Sequence, residues 1–291
     1  MANIVKIEDK KYPDMLRVLG KDAPKQLYYK GKWDKSIFEN CLAVVGSRRM
    51  TTYGKQITQK LVSQIASAGI TIVSGFMYGV DAQSHKAASE SGGRTIAVMP
   101  CGIDRVHPEY QIKLYNDILE NNGLIISEYE GDSQPGYWTY PARNRIVAGI
   151  SKAVLIVEAG EKSGSLITAN LAKKFKRKVF SLPGQITSLV SVGTNQLIKQ
   201  GAEMVTAADD ILEFFKLSRD PSSKKASQIS IEDGSLNSLE QQIINQLQRE
   251  PMEIDLLARN LQIAAAELGR TVSLMEIKGQ IKKENGKYYV Y

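Results

Sequence analysis

LAVVGSRR, residues Leu42–Arg49, joins four apolar residues to a glycine, a hydroxyl and two guanidinium groups. So short an apolar run, with two adjacent valines, suits a strand buried on both faces, and such strands belong to parallel sheets covered by helices. Gly46 ends the strand and lets an anion approach the backbone. Ser47 offers a hydroxyl, and Arg48 and Arg49 offer forked N–H donors. Thr51-Thr52-Tyr53 then reads as a helix start. The expectation is a strand, an anion-binding turn and a helix; for the turn alone, a glycine bend with solvated arginines is the alternative.

Working outward, the pattern recurs. Ile70–Gly75, Arg94–Pro100, Gly123–Tyr129, Lys152–Ala159 and Lys178–Gly184 read as further buried strands. The segments between them read as amphipathic helices, as in Tyr53–Ala68, where Ile57, Leu61, Ile65 and Ala68 share a face. The alternation predicts an α/β fold: an extended Rossmann-like, doubly wound, mostly parallel sheet over residues 41–216. Residues 1–40 are expected to form an extension packed on that sheet. The polar stretch 217–235 reads as a linker. Residues 236–291 carry three helical segments, Leu236–Leu247, Met252–Asn260 and Ala264–Lys278, then two short strands about Asn285-Gly286, a strong hairpin signal. Three helices and a hairpin describe a winged helix.

Composition narrows the class. No apolar stretch approaches the ~18 residues of a membrane helix, so a cytoplasmic protein without a membrane partner is expected. Cys41 and Cys101 lack CxxC spacing and read as buried free thiols. His85 and His107, the only histidines, belong to no ligand motif and read as solvated or capping residues, so no metal is expected. The net charge of +7 suggests an anionic partner. All of it lies in residues 1–216, with 28 Lys and Arg against 21 Asp and Glu; residues 217–291 carry 10 of each. Without excess positive charge, the winged helix reads as a protein contact or auxiliary element rather than a strong duplex binder.

In open α/β sheets, ligands bind beyond the carboxyl ends of the strands. Gly75 ends the second strand, and Gly79-Val80-Asp81 opens the next helix with Asp81 as its expected N-cap. After the fourth strand, Tyr137, Trp138 and Tyr140 are interleaved with Arg143 and Arg145. Rings for bases and cations for phosphates are what single-stranded nucleic acid requires; aromatic packing over a basic helix start is the alternative. After the fifth strand, Lys162, Ser163, Gly164 and Ser165 form a small, hydroxyl-rich helix start suited to anions. Neither serine has an identifiable general base in the sequence.

Taken in order, Gly46-Ser47-Arg48, SGFMYGVDAQSH, MPCGIDRVHPEY, IISEY, YPARNRIVAGIS, VEAGEKSGSLITANLA, VFSLPG and GTNQLIKQGA resemble the DNA-processing protein A (DprA/Smf) family over about Tyr12 to Phe215, with the family's winged helix also matched. The resemblance implies sequence-independent binding and protection of single-stranded DNA, loading of the RecA recombinase in natural transformation or recombination, a homodimer, no cofactor and no catalysis. It places Gly46, Ser47 and Arg48 on phosphate and Tyr140 on a base. Arg49, Gly75, Arg143, Asn144, Arg145, Lys162, Ser163, Gly164 and Ser165 complete the expected site. The helical domain that many members carry ahead of the Rossmann region is expected to be absent. Phe76, Met77 and Tyr78 stand where smaller residues are usual and are expected to crowd or reshape the second strand's end; His107 replaces the usual tyrosine. The competing class is a Rossmann-type nucleoside monophosphate phosphoribohydrolase, disfavoured because EKSGSLITAN stands in place of a PGGxGT-type loop. A nicotinamide enzyme is disfavoured by the lack of GxGxxG.

Overall fold

The computed structural model describes residues 3–217, 238–284 and 286–290. The chain divides into two compact units, Met1–Lys224 and Lys225–Tyr291.

The first unit is built on a nine-stranded sheet: β1 (Asn3–Lys6), β2 (Gln26–Gly31), β3 (Cys41–Val45), β4 (Thr71–Ser74), β5 (Thr95–Gly102), β6 (Leu124–Tyr129), β7 (Ala153–Ile156), β8 (Lys178–Ser181) and β9 (Glu203–Met204). Its order is β1-β2-β6-β5-β4-β3-β7-β8-β9, parallel from β6 to β9. Residues 1–40 do not merely pack on the sheet: β1 and β2 extend it, both pairings antiparallel, with Tyr29 opposite Ile126. The expectation failed there because Tyr28 and Tyr29 sit in a polar-flanked run with little hydrophobic alternation.

Strand β3 shows why the sheet is central. Cys41, Ala43 and Val45 enter one hydrophobic cluster while Leu42 and Val44 enter another. Successive side chains alternate between faces, so each face needs its own cover. On the first face lie α1 (Asp14–Arg17), α5 (Thr139–Ile150), α6 (Gly164–Lys174) and α7 (Val192–Lys199), contributing Leu16, Ile146, Ala169 and Leu197. On the other lie α2 (Thr52–Ser67), α3 (Val80–Glu90) and α8 (Ala208–Phe214), contributing Leu61, Ala87 and Ile211. Tyr115 and Ile118 of α4 (Ile112–Glu120) join a further cluster with Phe76 and Met99. Both cysteines are buried free thiols, pushed up by burial to about 12 for Cys41 and about 11 for Cys101.

The chain winds outward from β3 through β4, β5 and β6, then returns to the other side of β3 for β7. This reversal leaves a crevice between the carboxyl ends of β3 and β7, the natural ligand position of such a sheet. Gly46 and Glu158 lie there.

His85 corrects its sequence reading. It is fully buried on α3, its Nδ1 is 2.7 Å from Thr95 Oγ1, and its ring faces Phe76. Burial, seconded by the Arg143 charge, pushes its pKa from 6.5 down to about 3. Between these values the unfolded chain binds a proton that the folded chain does not. Its contribution to stability is therefore complete above about pH 6.5 and is lost as pH falls toward 3, at ~1.4 kcal/mol per pH unit. Urea midpoints at stepped pH should fall less steeply in His85→Gln than in the natural chain; parallel profiles would refute this.

The second unit comprises α9 (Ser238–Arg249), α10 (Ile254–Leu261), α11 (Ala265–Ile277) and the antiparallel pair β10 (Ile281–Glu284) and β11 (Lys287–Val290). Ile243, Leu247, Leu257, Leu268, Val272 and Ile281 form its core. Except for Leu217, the expected linker lies outside the described residues. Among the described residues, no helix is long and apolar enough to cross a membrane.

Candidate single-stranded DNA interface

A cavity of about 830 Å³ occupies the β3/β7 crevice. Most of its walls come from four chain segments, with Leu189 and Val190 adding a fifth. Gly46, Ser47, Arg48 and Arg49 follow β3; Gly75, Met77, Tyr78 and Asp81 follow β4; Tyr140, Arg143 and Asn144 come from α5; Lys162, Ser163, Gly164 and Ser165 open α6.

The β3 turn is clamped from two directions. Gly79 is the N-cap of α3 with φ +78°, and a Cβ there would lie 2.2 Å from Ser47 O. This close approach lets Val80 N–H donate to Ser47 O at 3.2 Å. From the other side, the buried Glu158 carboxylate accepts the Thr51 N–H at 2.9 Å and the Thr51 hydroxyl at 2.5 Å. Thr51 in turn caps α2 by accepting the Gly54 N–H at 3.0 Å. With both ends held, Arg48 projects into the cavity, its guanidinium carbon 5.2 Å from the Tyr140 ring centre and 5.8 Å from that of Tyr78.

Tyr140 is itself positioned. Its hydroxyl lies 2.9 Å from His107 Nε2, so His107 is a half-buried partner rather than a solvated residue. Burial, then the charges of Arg105 and Arg48, lower the His107 pKa. On the opposite wall Ser163 caps α6, accepting from Ser165 N–H, and the two hydroxyls lie 2.8 Å apart. The helix start therefore presents partial positive charge toward the cavity, beside the exposed Lys162.

Arg143 differs from a surface phosphate clamp. Only 4% exposed, it donates to the carbonyls of Gly75 and Val98 and faces the buried Asp81. Burial pulls its pKa down to about 10 and raises that of Asp81, whose largest opposing influence is Arg143. Any Cβ at Gly75 would meet this guanidinium at 2.5 Å, so that glycine seats Arg143. Asp81 is not the N-cap expected from sequence; Gly79 is, and Asp81 accepts the Met77 N–H at 3.4 Å. Arg145 lies outside the cavity, paired with Glu128 at 2.6 Å. Helical geometry requires this: residues 140, 143, 144 and 147 share a stripe, from which 145 points away. Phe76 does not crowd the site, because at φ +57° it turns into the core, leaving Met77 and Tyr78 on the cavity wall.

The match to the DNA recombination-mediator protein A family covers residues 3–216, and a DprA winged helix domain matches residues 232–287. The chain belongs to the DNA recombination-mediator protein A family. It is 39% identical over 211 residues to Protein Smf of Escherichia coli, an alignment covering 72% of this chain and 56% of that protein. Thus it spans little more than half the length of that relative. The Streptococcus pneumoniae DNA processing protein A structure superposes with a TM-score of 0.69 at 38% identity, over 73% of this chain and 74% of that one. A Helicobacter pylori DNA processing protein A, studied for its single-stranded DNA binding mode, gives 0.65 at 35% identity, over 74% and 96%.

In this family member the cavity is also lined by residues whose sequence context does not mark them as ligand contacts. Tyr78 lies against Arg48, and Leu189 and Val190 close the wall beside α6. Gly79 and Glu158 shape the turn without lining the cavity. A signal for Glu158 existed: it is a lone carboxylate closing the apolar run AVLIV at the switch point.

Proposed function

We propose that this chain binds single-stranded DNA across the β3/β7 crevice, chiefly through its backbone, and that it protects the strand and delivers it to RecA. The observation that carries this reading is Arg48, which lies over the rings of Tyr78 and Tyr140 in the cavity that the start of α6 also lines. A phosphate meets Arg48, Ser47 and the α6 N–H groups, while an unstacked base meets Tyr140. The site residues fall into separate roles: Gly46, Ser47, Arg48, Arg49, Tyr140, Asn144, Lys162, Ser163, Gly164 and Ser165 face the strand, while Gly75 and Arg143 brace the floor. The similarity to the Helicobacter pylori protein supports the choice of ligand. A homodimer acting in transformation or recombination without catalysing a reaction completes the proposal.

Labelled oligothymidylate should bind the full chain with an affinity that falls steeply with salt, because each neutralised phosphate releases counterions. Tyr140→Ala should weaken binding by ~1–3 kcal/mol, and Tyr140→Phe, which retains the ring, by much less. Salt-insensitive binding, or equal loss in both variants, would count against the site. RecA delivery is tested by strand exchange on protein-coated single strands, where adding this chain should relieve the block; no relief would remove that part of the proposal.

A further inference from the structure

A second cavity, of about 470 Å³, lies beside the first between α6 and α7. The two share walls. Gly160 and Lys162 line the first while Glu161 lines the second; Leu189 and Val190 line the first while Val192 and Gly193 line the second. The shared wall is rigidly tied, with Gly193 N–H donating to Ala159 O at 2.8 Å and Ala159 N–H to Val190 O at 2.7 Å. A Cβ on Gly193 would lie 2.8 Å from Ala159 O, so only glycine allows the first turn of α7 this close.

The groove has an apolar bed and a polar rim. Leu166 and Leu197 form the bed; Glu161, Asn170, Gln196 and Gln200 supply the rim. No side-chain hydrogen bond engages Asn170 or Gln196 among the described residues, whereas Gln200 Oε1 accepts from Lys173 Nζ at 3.1 Å, leaving its amide N–H groups free to donate. An apolar bed of two leucines with one carboxylate acceptor and several amides suits an apolar-faced heterocycle carrying an exocyclic amino group. A carboxylate among the lining residues does not suit phosphate.

From this geometry we propose that the α6/α7 groove holds one unstacked nucleobase of the bound strand and favours an amino-bearing base, cytosine over thymine. The inference rests on the single-stranded DNA reading of the neighbouring cavity. Glu161 accepts from cytosine N4–H, and the Asn170 or Gln196 amide donates to N3 or O2. Thymine presents a carbonyl oxygen where cytosine presents the amino group, and so sets an acceptor against the carboxylate. Contact of this kind tempers backbone binding with a bias at one nucleotide.

The test compares labelled oligodeoxycytidylate and oligodeoxythymidylate of equal length, by anisotropy, on the full chain at slightly alkaline pH. The natural chain should favour the cytosine strand by roughly 5- to 10-fold, the lower end of base discrimination by paired polar contacts. Glu161→Ala and, separately, Gln196→Leu should bring the ratio close to unity. Removing Glu161 also eliminates a negative charge and strengthens binding to both strands, so the ratio is the readout. Arg48→Ala should weaken both and leave the ratio intact. Equal affinities in the natural chain, or a ratio surviving both groove substitutions, would overturn the groove's assignment while leaving the first cavity's standing. If neither strand binds, the single-stranded DNA reading itself fails and the groove's assignment falls with it.

Discussion

Arg48→Ala should lower affinity for single-stranded DNA by about 10- to 100-fold, the loss of ~1.5–3 kcal/mol from a charge-assisted contact. Arg48 is exposed and makes no ion pair within 4 Å among the described residues, its ring contacts being with Tyr78 and Tyr140. Removing it therefore sacrifices little folding energy, and the thermal midpoint should hardly move. Losing one phosphate contact should also make the log–log salt dependence shallower by about 0.7. Arg48→Lys keeps the charge but loses the planar fork that stacks on a ring, so its affinity should fall between the two. An unchanged affinity with an unchanged salt slope would place the strand elsewhere.

The opposite signature is expected for Arg143→Ala: a large loss of stability, with DNA binding affected only through the fold. The truncation strands two buried carbonyl oxygens, Gly75 O and Val98 O, and leaves Asp81 without its facing charge. Removing one partner from a buried charged arrangement costs ~3–5 kcal/mol. Asp81→Asn in the same chain should return part of that loss, because the orphaned carboxylate is then neutral. Equilibrium unfolding in urea measures both. A midpoint for Arg143→Ala equal to that of the natural chain would mean that the guanidinium is a ligand contact rather than a brace.

This contrast between two arginines marks the limit of what the sequence made legible. Strand β3, its turn and the winding of the parallel strands follow from local apolar runs and glycine positions, since burial on both faces leaves a continuous signature. The residues of loops after β3 and β7 were legible for a related reason: at a switch point, any chain leaving the sheet there faces the same crevice. Arg143 and Arg145 were not separable by composition. Only the 3.6-residue period of α5 assigns one to the cavity floor and the other to Glu128. Asp81 and His85 look like ordinary polar residues of a helix until Arg143 of α5 faces the one and Thr95 of β5 meets the other, both in the buried interior. Strands β1 and β2 depend on antiparallel pairing with an edge far away in sequence, which no local pattern encodes.

The α11 surface carries no excess of positive charge. Leu274 and Ile277 are exposed on it, 55% and 83%, and the helix carries Glu267 and Glu276 as well as Arg270. Such a face has little to offer a phosphate backbone, whose affinity is mostly electrostatic. The positive balance of residues 1–216 stays with the unit that contains the crevice.

Photo-crosslinking with an oligonucleotide carrying 5-iododeoxyuridine, followed by peptide mapping, tests the proposed interface most directly. Adducts are expected on the aromatic wall of the crevice, foremost Tyr140 and Tyr78, and should disappear under competition by unlabelled single strands. Adducts confined to α11, the β10/β11 hairpin or the β1 edge of the sheet would contradict the placement of single-stranded DNA at the carboxyl ends of β3 and β7.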